Sequence, residues 1–333
     1  MNNDPPFIYL DQNQWIYLAQ ANYNSQEGEK YKLVLKKLQD LVENDKVRLP
    51  LSAYHFLETQ KIRNIDRKEK LAETMSILSQ GWGIALLDNV TPIEVQIAGA
   101  RIFGCPLPSR PKVFEQDLSL IWGINLQAIA NKIAGEKNEP MASSKEFLAN
   151  FKKILATPKM IKMFLTGNII SESQLTDALA GYKFGISNFA KLNESVRSKV
   201  KHFSKSQLPQ KRIFISDYVR GKETREFFNN ALAIYDKTID DVISLGEEET
   251  ISFIESIPTL DLETELVTMR NVHWDRMIDE NDWADIRSLV IAVPYCDIVV
   301  TENFWHDLIQ RSKVDKKYKT TILKNVNELL DYI

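Results

Sequence analysis

Acidic and amide side chains follow two apolar runs at opposite ends of this 333-residue chain. Near the start, apolar residues 7–10 lead directly into Asp11. Near the end, apolar residues 298–300 lead into a polar tip that contains Glu302 and Asn303. Because open α/β sheets collect ligand-binding groups at the carboxyl ends of their strands, we expect the two tips to lie together.

Two further carboxylates fall in helical patterns. Ser52 is a good N-cap residue and predicts a helix over 53–63 that carries Glu58 in its second turn. Asp285 precedes an apolar spacing of three and four residues, which predicts a helix that starts at Asp285 and ends before Pro294. Each of these helices is expected to adjoin a strand of the same sheet.

Carboxylates gathered without histidine or cysteine suit a hard, oxygen-binding cation such as Mg²⁺ or Mn²⁺. Such an ion polarises a scissile phosphate, lowers the pKa of a bound water and stabilises the leaving oxygen. The residues therefore predict hydrolysis of a phosphodiester without a covalent intermediate. Taken singly, each acid also has an ordinary explanation as a turn residue, an exposed helix residue or a first-turn acid favoured by the helix dipole. The candidate set is Asp11, Glu58, Asp285, Glu302 and Asn303.

The elements that must position this set follow a recognisable order. The first ninety residues alternate as β-α-α-β-α-α-β, with predicted strands at 7–10, 46–51 and 84–88. This alternation predicts a parallel sheet with helices on both faces. Residues 298–300 and 319–324 supply two more strand patterns, and a closing helix is predicted after the second through Val326, Leu329 and Leu330. Residues 91–256 have mostly helical patterns. We therefore predict an α/β fold with a three-layer α/β/α core formed by residues 1–90 and 258–333, and a helical insertion over 91–257.

Composition, charge and cysteine content limit the classes of protein to which this chain can belong. Hydrophobic residues make up 44% of the chain, which is ample for a folded core, and the net charge of −3 gives no overall sign of a nucleic-acid partner. The two cysteines, Cys105 and Cys296, lie in apolar surroundings and predict neither a disulfide nor a zinc site. The start of the sequence lacks the pattern of a signal peptide, and no apolar run has the length of a membrane span. A cytoplasmic protein without membrane contact is expected.

Local charge is strongly uneven. Residues 187–225 contain ten Lys or Arg against three acids, a net +7, whereas residues 261–304 contain ten acids against three arginines, a net −7. A polyanionic substrate held by the first segment and a metal held by the second would use this asymmetry. Two solvated helical faces would produce the same pattern.

Taken together, the motifs resemble those of the PIN-domain nucleases. Leu10-Asp11-Gln12-Asn13 is similar to the first motif of that family, with Gln12 in place of the usual Ser or Thr. Residues 51–59, ending in Glu58-Thr59, resemble the second. The third is an Asp that opens an Ala-containing helix, followed by a strand ending in Thr-x-Asp or Thr-x-Asn, and its matches here are Asp285, Ala292, Thr301 and Asn303.

The resemblance covers roughly residues 5–90 and 280–330 and leaves the middle segment without a counterpart in a minimal PIN domain. It implies a PIN-like fold and a Mg²⁺- or Mn²⁺-dependent endoribonuclease, often a toxin or defence effector, although some members process RNA or cut DNA. RNA is therefore favoured over DNA as the partner. Whether the protein forms a homo-oligomer or binds a protein regulator is left open by the sequence.

Roles follow for the individual residues. Asn303 stands where the family commonly has Asp and Glu302 precedes it, so the identity of the fourth ligand stays open. Asp297 lies at the opposite end of the strand and is interpreted as structural. Supporting roles beside the ligands are predicted for Thr301, through its hydroxyl, for Ser52 as a helix cap, and for Asn13, the expected N-cap of a helix that begins at Gln14.

Substrate contacts are also predicted. Trp15 and Trp305, beside the site motifs, could stack a base, and Arg270 and Arg287 could contact phosphate, although salt bridges to the neighbouring acids are the commoner outcome. Cations around an expected exposed turn at 207–210 should hold the nucleic acid backbone; they are Lys199, Lys201, Lys205, Lys211 and Arg212.

Two other functions compete with the nuclease. A haloacid-dehalogenase-type phosphatase also places Asp after its first strand, but it needs a second acid two residues later, where this chain has Asn13. The other alternative is a catalytically inactive PIN-like scaffold or RNA-binding module. Asn303, at a position where the family commonly has Asp, is compatible with it.

Overall fold

The chain is a mixed α/β protein that is mostly helical. A computed structural model describes residues 4–122, 145–174, 198, 210–271 and 280–333. Its strands are β1 (Ile8–Leu10), β2 (Trp82–Ile84), β3 (Phe114–Gln116), β4 (Ile298–Val300) and β5 (Thr321–Leu323). In the first half, the helices are α1 (Gln12–Asn22), α2 (Lys32–Glu43), α3 (Ala53–Lys61), α4 (Ile65–Ser79), α5 (Leu87–Phe103), α6 (Lys145–Leu155) and α7 (Pro158–Thr166).

In the described part of the second half, the elements other than β4 and β5 are helices. It contains α8 (Gln210–Arg220), α9 (Lys222–Leu232), α10 (Ile239–Ile243), α11 (Glu247–Glu255), α12 (Pro258–Asn271), α13 (Glu280–Tyr295), α14 (Asn303–Ser312) and α15 (Val314–Tyr318). Short 3-10 helices occupy Glu29–Tyr31, Ala233–Tyr235 and Val326–Asp331, and the last of these replaces the closing α-helix predicted from the sequence.

The central sheet is parallel and has the order β1-β4-β5. Leu10 lies opposite Val300, and Val300 lies opposite Leu323, so the carboxyl ends of all three strands are level. β4, from the end of the chain, is therefore the middle strand and pairs directly with β1, from the beginning. This arrangement confirms the prediction that distant strand tips meet at one edge.

A second, antiparallel pair is formed by β2 and β3. The segment between α2 and α3 links it to the central sheet through two isolated parallel bridges, Phe7 with Arg48 and Leu51 with Gly83. The predicted strand at 46–51 is thus reduced to single bridges, because Pro50 has no N–H to donate to a ladder.

Sequence reasoning placed the third strand too late and did not find β3. The predicted strand at 84–88 is observed at Trp82–Ile84, and Leu87 already begins α5. β3 lies within the predicted insertion, as does most of α5, which spans the predicted boundary between residues 90 and 91. Phe114 of β3 stacks on Phe7, with ring centroids 3.7 Å apart, and this contact ties the start of that segment to the sheet.

Helices cover both faces of the central sheet. Alternate strand residues enter two different hydrophobic clusters: Ile8 and Leu10 join one, whereas Tyr9 and Val299 join the other. Phe214 of α8 packs in the second cluster, so part of the predicted insertion shares the core of the sheet. A third cluster lies wholly among the helices and is built around α5, α9 and α11.

The helix that carries Asp285 is longer than predicted at both ends. α13 begins at Glu280, which puts Asp285 in its second turn. Pro294 lies inside the last turn, where the Cys296 N–H still bonds the Ala292 carbonyl at 2.8 Å. Within the described ranges, none of the helices is both long and apolar enough for a bilayer crossing.

Candidate metal centre

Asp11 lies at the carboxyl end of β1 and caps α1. Its Oδ1 accepts the Gln12 N–H at 2.6 Å, and its own N–H donates to the Val300 carbonyl at 2.9 Å. The Thr301 hydroxyl donates to Oδ2 of Asp11 at 3.5 Å, which supports the predicted role of Thr301. The N-cap prediction was wrong for Asn13: α1 begins two residues earlier than Gln14, and Asn13 is an exposed residue of its first turn.

Glu58 is positioned by the start of α3. Ser52 is the N-cap, as predicted, and its N–H donates to His55 Nδ1 at 3.0 Å. The other ring nitrogen, Nε2, lies 2.9 Å from the Leu10 carbonyl. Burial lowers the pKa of His55 to about 3, so the ring is neutral and Nε2–H is the donor in this pair. His55 thereby ties the Glu58 helix to the residue immediately before Asp11.

The sequence did not reveal this role of His55. The available signal was its position three residues after a serine cap, where a side chain can bond back to the cap N–H. Glutamate or glutamine usually takes that position, and histidine gave no reason to expect a buried tie to another strand.

Asp285 points toward α14. Its Oδ2 accepts the indole N–H of Trp305 at 2.8 Å. Trp305 is fully buried, as is Trp15, so neither ring is at the surface where a base could stack. The base-stacking prediction was therefore wrong for both tryptophans, because their apolar rings fill the core beneath the site. For Trp305, the polar N–H is used to orient Asp285 instead.

Four carboxylates form one electrostatic group, called here the acidic cluster: Asp11, Glu58, Asp285 and Glu302. Burial, and then the charge of Asp11, raise the pKa of Glu58 to about 8. Burial and Asp11, followed by Glu58 and Glu302, raise the pKa of Asp285 to about 8. Burial and the charge of Glu302 raise the pKa of Asp11 to about 6, against the Gln12 hydrogen bond. Shifts that arise from neighbouring charges require those carboxylates to lie close together.

The fourth position favours Glu302 over Asn303. Glu302 is half-buried, and its charge acts on both Asp11 and Asp285. Asn303 is the exposed first residue of α14. Asp297 lies at the other end of β4, where its carboxylate accepts the Phe7 N–H at 2.8 Å, and this is the structural role expected of it.

The two arginines predicted to contact phosphate are engaged within the protein. Arg270 is fully buried and forms an ion pair with Asp282, with Nε 3.0 Å from the carboxylate, so the prediction of a phosphate contact was wrong for it. Arg287 donates to Asp88 at 2.9 Å and lies over the ring of Trp283. The ion-pair alternative is the one observed for both.

Only two of the five predicted backbone-binding cations lie in the described residues. Lys211 bridges three acids on α11 and α12, with Nζ–O distances of 3.0–3.2 Å to Glu255, Asp261 and Glu265. Arg212 holds Glu248 through two hydrogen bonds of 2.6 and 3.0 Å. Lys199, Lys201 and Lys205 lie outside the described residues, as do residues 207–209 of the predicted turn. The positive charges of Lys211 and Arg212 are thus already balanced by acidic side chains of the protein.

The chemistry of the acidic cluster fits a hard divalent cation. Among the described residues, no group of three or more His, Cys, Asp or Glu side chains is arranged to hold a metal ion. The donors are oxygen only, since both nitrogens of the nearby His55 are occupied. A cation would also relieve the crowding of like charges. The residues that would hold it are Asp11, Glu58, Asp285 and Glu302.

Comparison of the chain with models of known protein families, with curated proteins and with solved structures found no match. Function is therefore inferred from the charge and position of the acidic cluster itself.

Proposed function

We propose that this protein is a PIN-like nuclease that uses Mg²⁺ or Mn²⁺ to hydrolyse phosphodiester bonds in RNA. The observation that supports the proposal is the acidic cluster at the carboxyl edge of a parallel sheet, in which burial and the charges of neighbouring acids raise the pKa values of Asp11, Glu58 and Asp285. Crowded like charges oppose folding, and groups with such perturbed pKa values are concentrated at functional sites. The resemblance of the motifs favours RNA as the substrate and a role as a toxin or defence effector.

The side chains around the cluster hold two of its acids in place. The Gln12 N–H and the Thr301 hydroxyl orient Asp11, and the Trp305 N–H orients Asp285. A bound divalent cation supplies Lewis-acid polarisation of the phosphate and a water of lowered pKa. Glu58, whose pKa is raised to about 8, carries a proton at neutral pH in the metal-free protein, and it would lose that proton to solvent on binding a cation.

Cleavage of a labelled single-stranded RNA, with a DNA of the same sequence beside it, tests the proposal directly. The wild-type protein should cut RNA with Mn²⁺ or Mg²⁺ and stop when EDTA is added. Each of three single substitutions should reduce the cleavage rate by more than about 100-fold: Asp11→Asn, Glu58→Gln and Asp285→Asn. Even residues that only support metal ligands contribute roughly 10–100-fold to metal affinity or activity. Glu43→Gln, at the exposed end of α2, is the matched control and should cut normally.

Two results would contradict the proposal. Cleavage that persists in EDTA, or in all three cluster variants, would place the chemistry elsewhere. A folded wild-type protein that binds RNA and cuts neither nucleic acid with either ion would favour the inactive scaffold.

A further inference from the structure

A cleft of about 460 Å³ opens between α1 and α4. Ligand clefts typically measure roughly 300–1,000 Å³. A hydrogen bond of 3.1 Å from Asn22 to Thr74 joins the two helices at the end of α1 that is distant from Asp11. The lining includes Ile16, Ala19, Tyr23, Ile62, Arg67 and Leu71.

The cleft adjoins two acids of the acidic cluster. Asp11 caps α1, and Ile16 follows it by five residues, which is about 7 Å along a helix that rises 1.5 Å per residue. Glu58 precedes Ile62 by four residues, about one helical turn. A strand of nucleic acid rises about 3.4 Å per nucleotide in a duplex, so this separation corresponds to about two nucleotides. A strand cut at the cluster is therefore within about two nucleotides of the cleft, as measured along α1.

The cleft combines the surfaces that an unpaired nucleotide needs. Ala19 and Leu71 give it a buried apolar floor, and the ring of Tyr23 is 36% exposed at its wall. Bases stack on aromatic rings and on guanidinium planes with little dependence on sequence. The cleft thus offers a flat base both apolar contact and an aromatic partner.

Arg67 supplies the charge for a phosphate. Its side chain is exposed and has no carboxylate partner among the described residues, in contrast to Lys211 and Arg212. The other lining cation, Lys70, is paired with Asp66 at 2.7 Å. Guanidinium groups match phosphate oxygens in a bidentate geometry. Because the carboxylate of Glu27 also lines the cleft and repels phosphate, the backbone is expected at Arg67.

We infer that the cleft between α1 and α4 holds one unpaired nucleotide of the substrate strand, with its base between the apolar floor and Tyr23 and its phosphate on Arg67. The inference rests on the proposed nuclease function for its orientation toward the acidic cluster. A base in a duplex is not free to enter, so single strands should bind and the matching duplex should not.

Binding is tested in EDTA with the Asp285→Asn protein, which keeps the cleft intact. The probe is a 12-nucleotide fluorescein-labelled oligouridylate followed by fluorescence anisotropy. Stacking contributes about 1–3 kcal/mol per base, so Tyr23→Ala should weaken Kd at least about fivefold, while Tyr23→Phe, which keeps the ring, should not. Arg67→Gln should weaken Kd to a similar degree and flatten its salt dependence.

Lys316→Gln is the matched control for charge. Lys316 is exposed on α15, which leads into the amino end of β5, and its loss should leave Kd unchanged. The same oligonucleotide with 4-thiouridine should crosslink on irradiation to residues of α1 or α4, as read by mass spectrometry. Crosslinks confined to other elements, or no binding of the probe at all, would overturn the inference.

The inference and the proposed function fail separately. If the wild-type protein cuts RNA while Tyr23→Ala and Arg67→Gln proteins bind and cut as well as it does, the cleft inference is wrong and the nuclease stands. If the probe binds and crosslinks in the cleft but no cation supports cleavage, the cleft is a nucleotide site and the nuclease proposal alone is wrong.

Discussion

Replacing Glu58 by glutamine should stabilise the metal-free protein at alkaline pH. Burial, and then the charge of Asp11, raise the pKa of Glu58 from 4.5 to about 8. The folded protein therefore binds this proton more tightly than the unfolded chain does. The contribution of Glu58 to the stability of the folded protein is therefore fully present below about pH 4.5. It decreases as the pH rises to about 8 and is constant above that value. Glutamine carries no charge into the site and removes this loss.

The size of the effect follows from the two pKa values. One pH unit of difference corresponds to about 1.36 kcal/mol, so the full loss is on the order of 5 kcal/mol. Burial of the glutamine amide offsets part of the gain, and about 2–4 kcal/mol at pH 9 is expected. At roughly 2 °C per kcal/mol for a chain of this length, Tm should rise by about 4–8 °C. At pH 4, where Glu58 is mostly protonated in both states, this gain is absent and only the cost of burying the amide is left, so Tm should not rise.

Thermal unfolding followed by circular dichroism in EDTA at pH 4, 7 and 9 measures this. The control Glu43→Gln should stay within about 0.5 kcal/mol of the wild type at each pH. Adding Mn²⁺ at pH 7 should raise Tm of the wild type more than that of the Glu58→Gln protein, because the ion binds the folded state through this carboxylate. A Glu58→Gln protein that melts at or below the wild-type temperature at pH 9 would refute the crowding of charges on which the candidate site depends.

Three further changes test the neighbourhood of the site. His55→Ala should destabilise the fold by about 2–4 kcal/mol in urea at pH 9 and by roughly 1 kcal/mol less at pH 6, where the unfolded chain gains a proton that the buried ring does not; a larger loss at pH 6 than at pH 9 would contradict this. Asp297→Ala removes the acceptor of the Phe7 N–H and should reduce stability by about 1 kcal/mol without affecting cleavage, so a stable but inactive protein would show a catalytic role. Lys211→Met should reduce stability by about 1–3 kcal/mol, because it leaves the buried Asp261 with fewer cations, and should not alter the salt dependence of oligonucleotide binding. If the Lys211→Met protein instead had unchanged stability and a weaker salt dependence of binding, Lys211 would contact phosphate as the sequence predicted.

The sequence was most informative where one physical rule was sufficient. Short runs of buried apolar residues located β1, β4 and β5, and the geometry of parallel sheets then predicted that Asp11 and Glu302 would meet. It was least informative where partners decide the structure. Phe114-Glu-Gln116 has a single apolar residue and forms β3 only because Trp82–Ile84 is available to pair with it.

Helix ends and free charges were also beyond the sequence. Residues 280–284 are mainly polar and gave no apolar period, although α13 includes them and buries Trp283. Lys211 and Arg212 looked available because their acidic partners, Asp261 and Glu248, are 50 and 36 positions away along the chain. Which cations are exposed and unpaired depends on how helices pack, and the same is true of the cleft beside α1.

The pairing of β1 with β4 also has a consequence for the timing of activity. Thr301 and Asp11, whose side chains are in contact, are separated by 290 positions. While the chain is being synthesised, β1 cannot pair with its neighbour in the central sheet until β4 has left the ribosome, and closing so large a loop is slow. Glu302 directly follows β4, so the acidic cluster is incomplete until β4 itself has been synthesised. If the protein cuts RNA as proposed, the nascent chain is harmless to the message that encodes it, and fragments that end before Ile298 are inert.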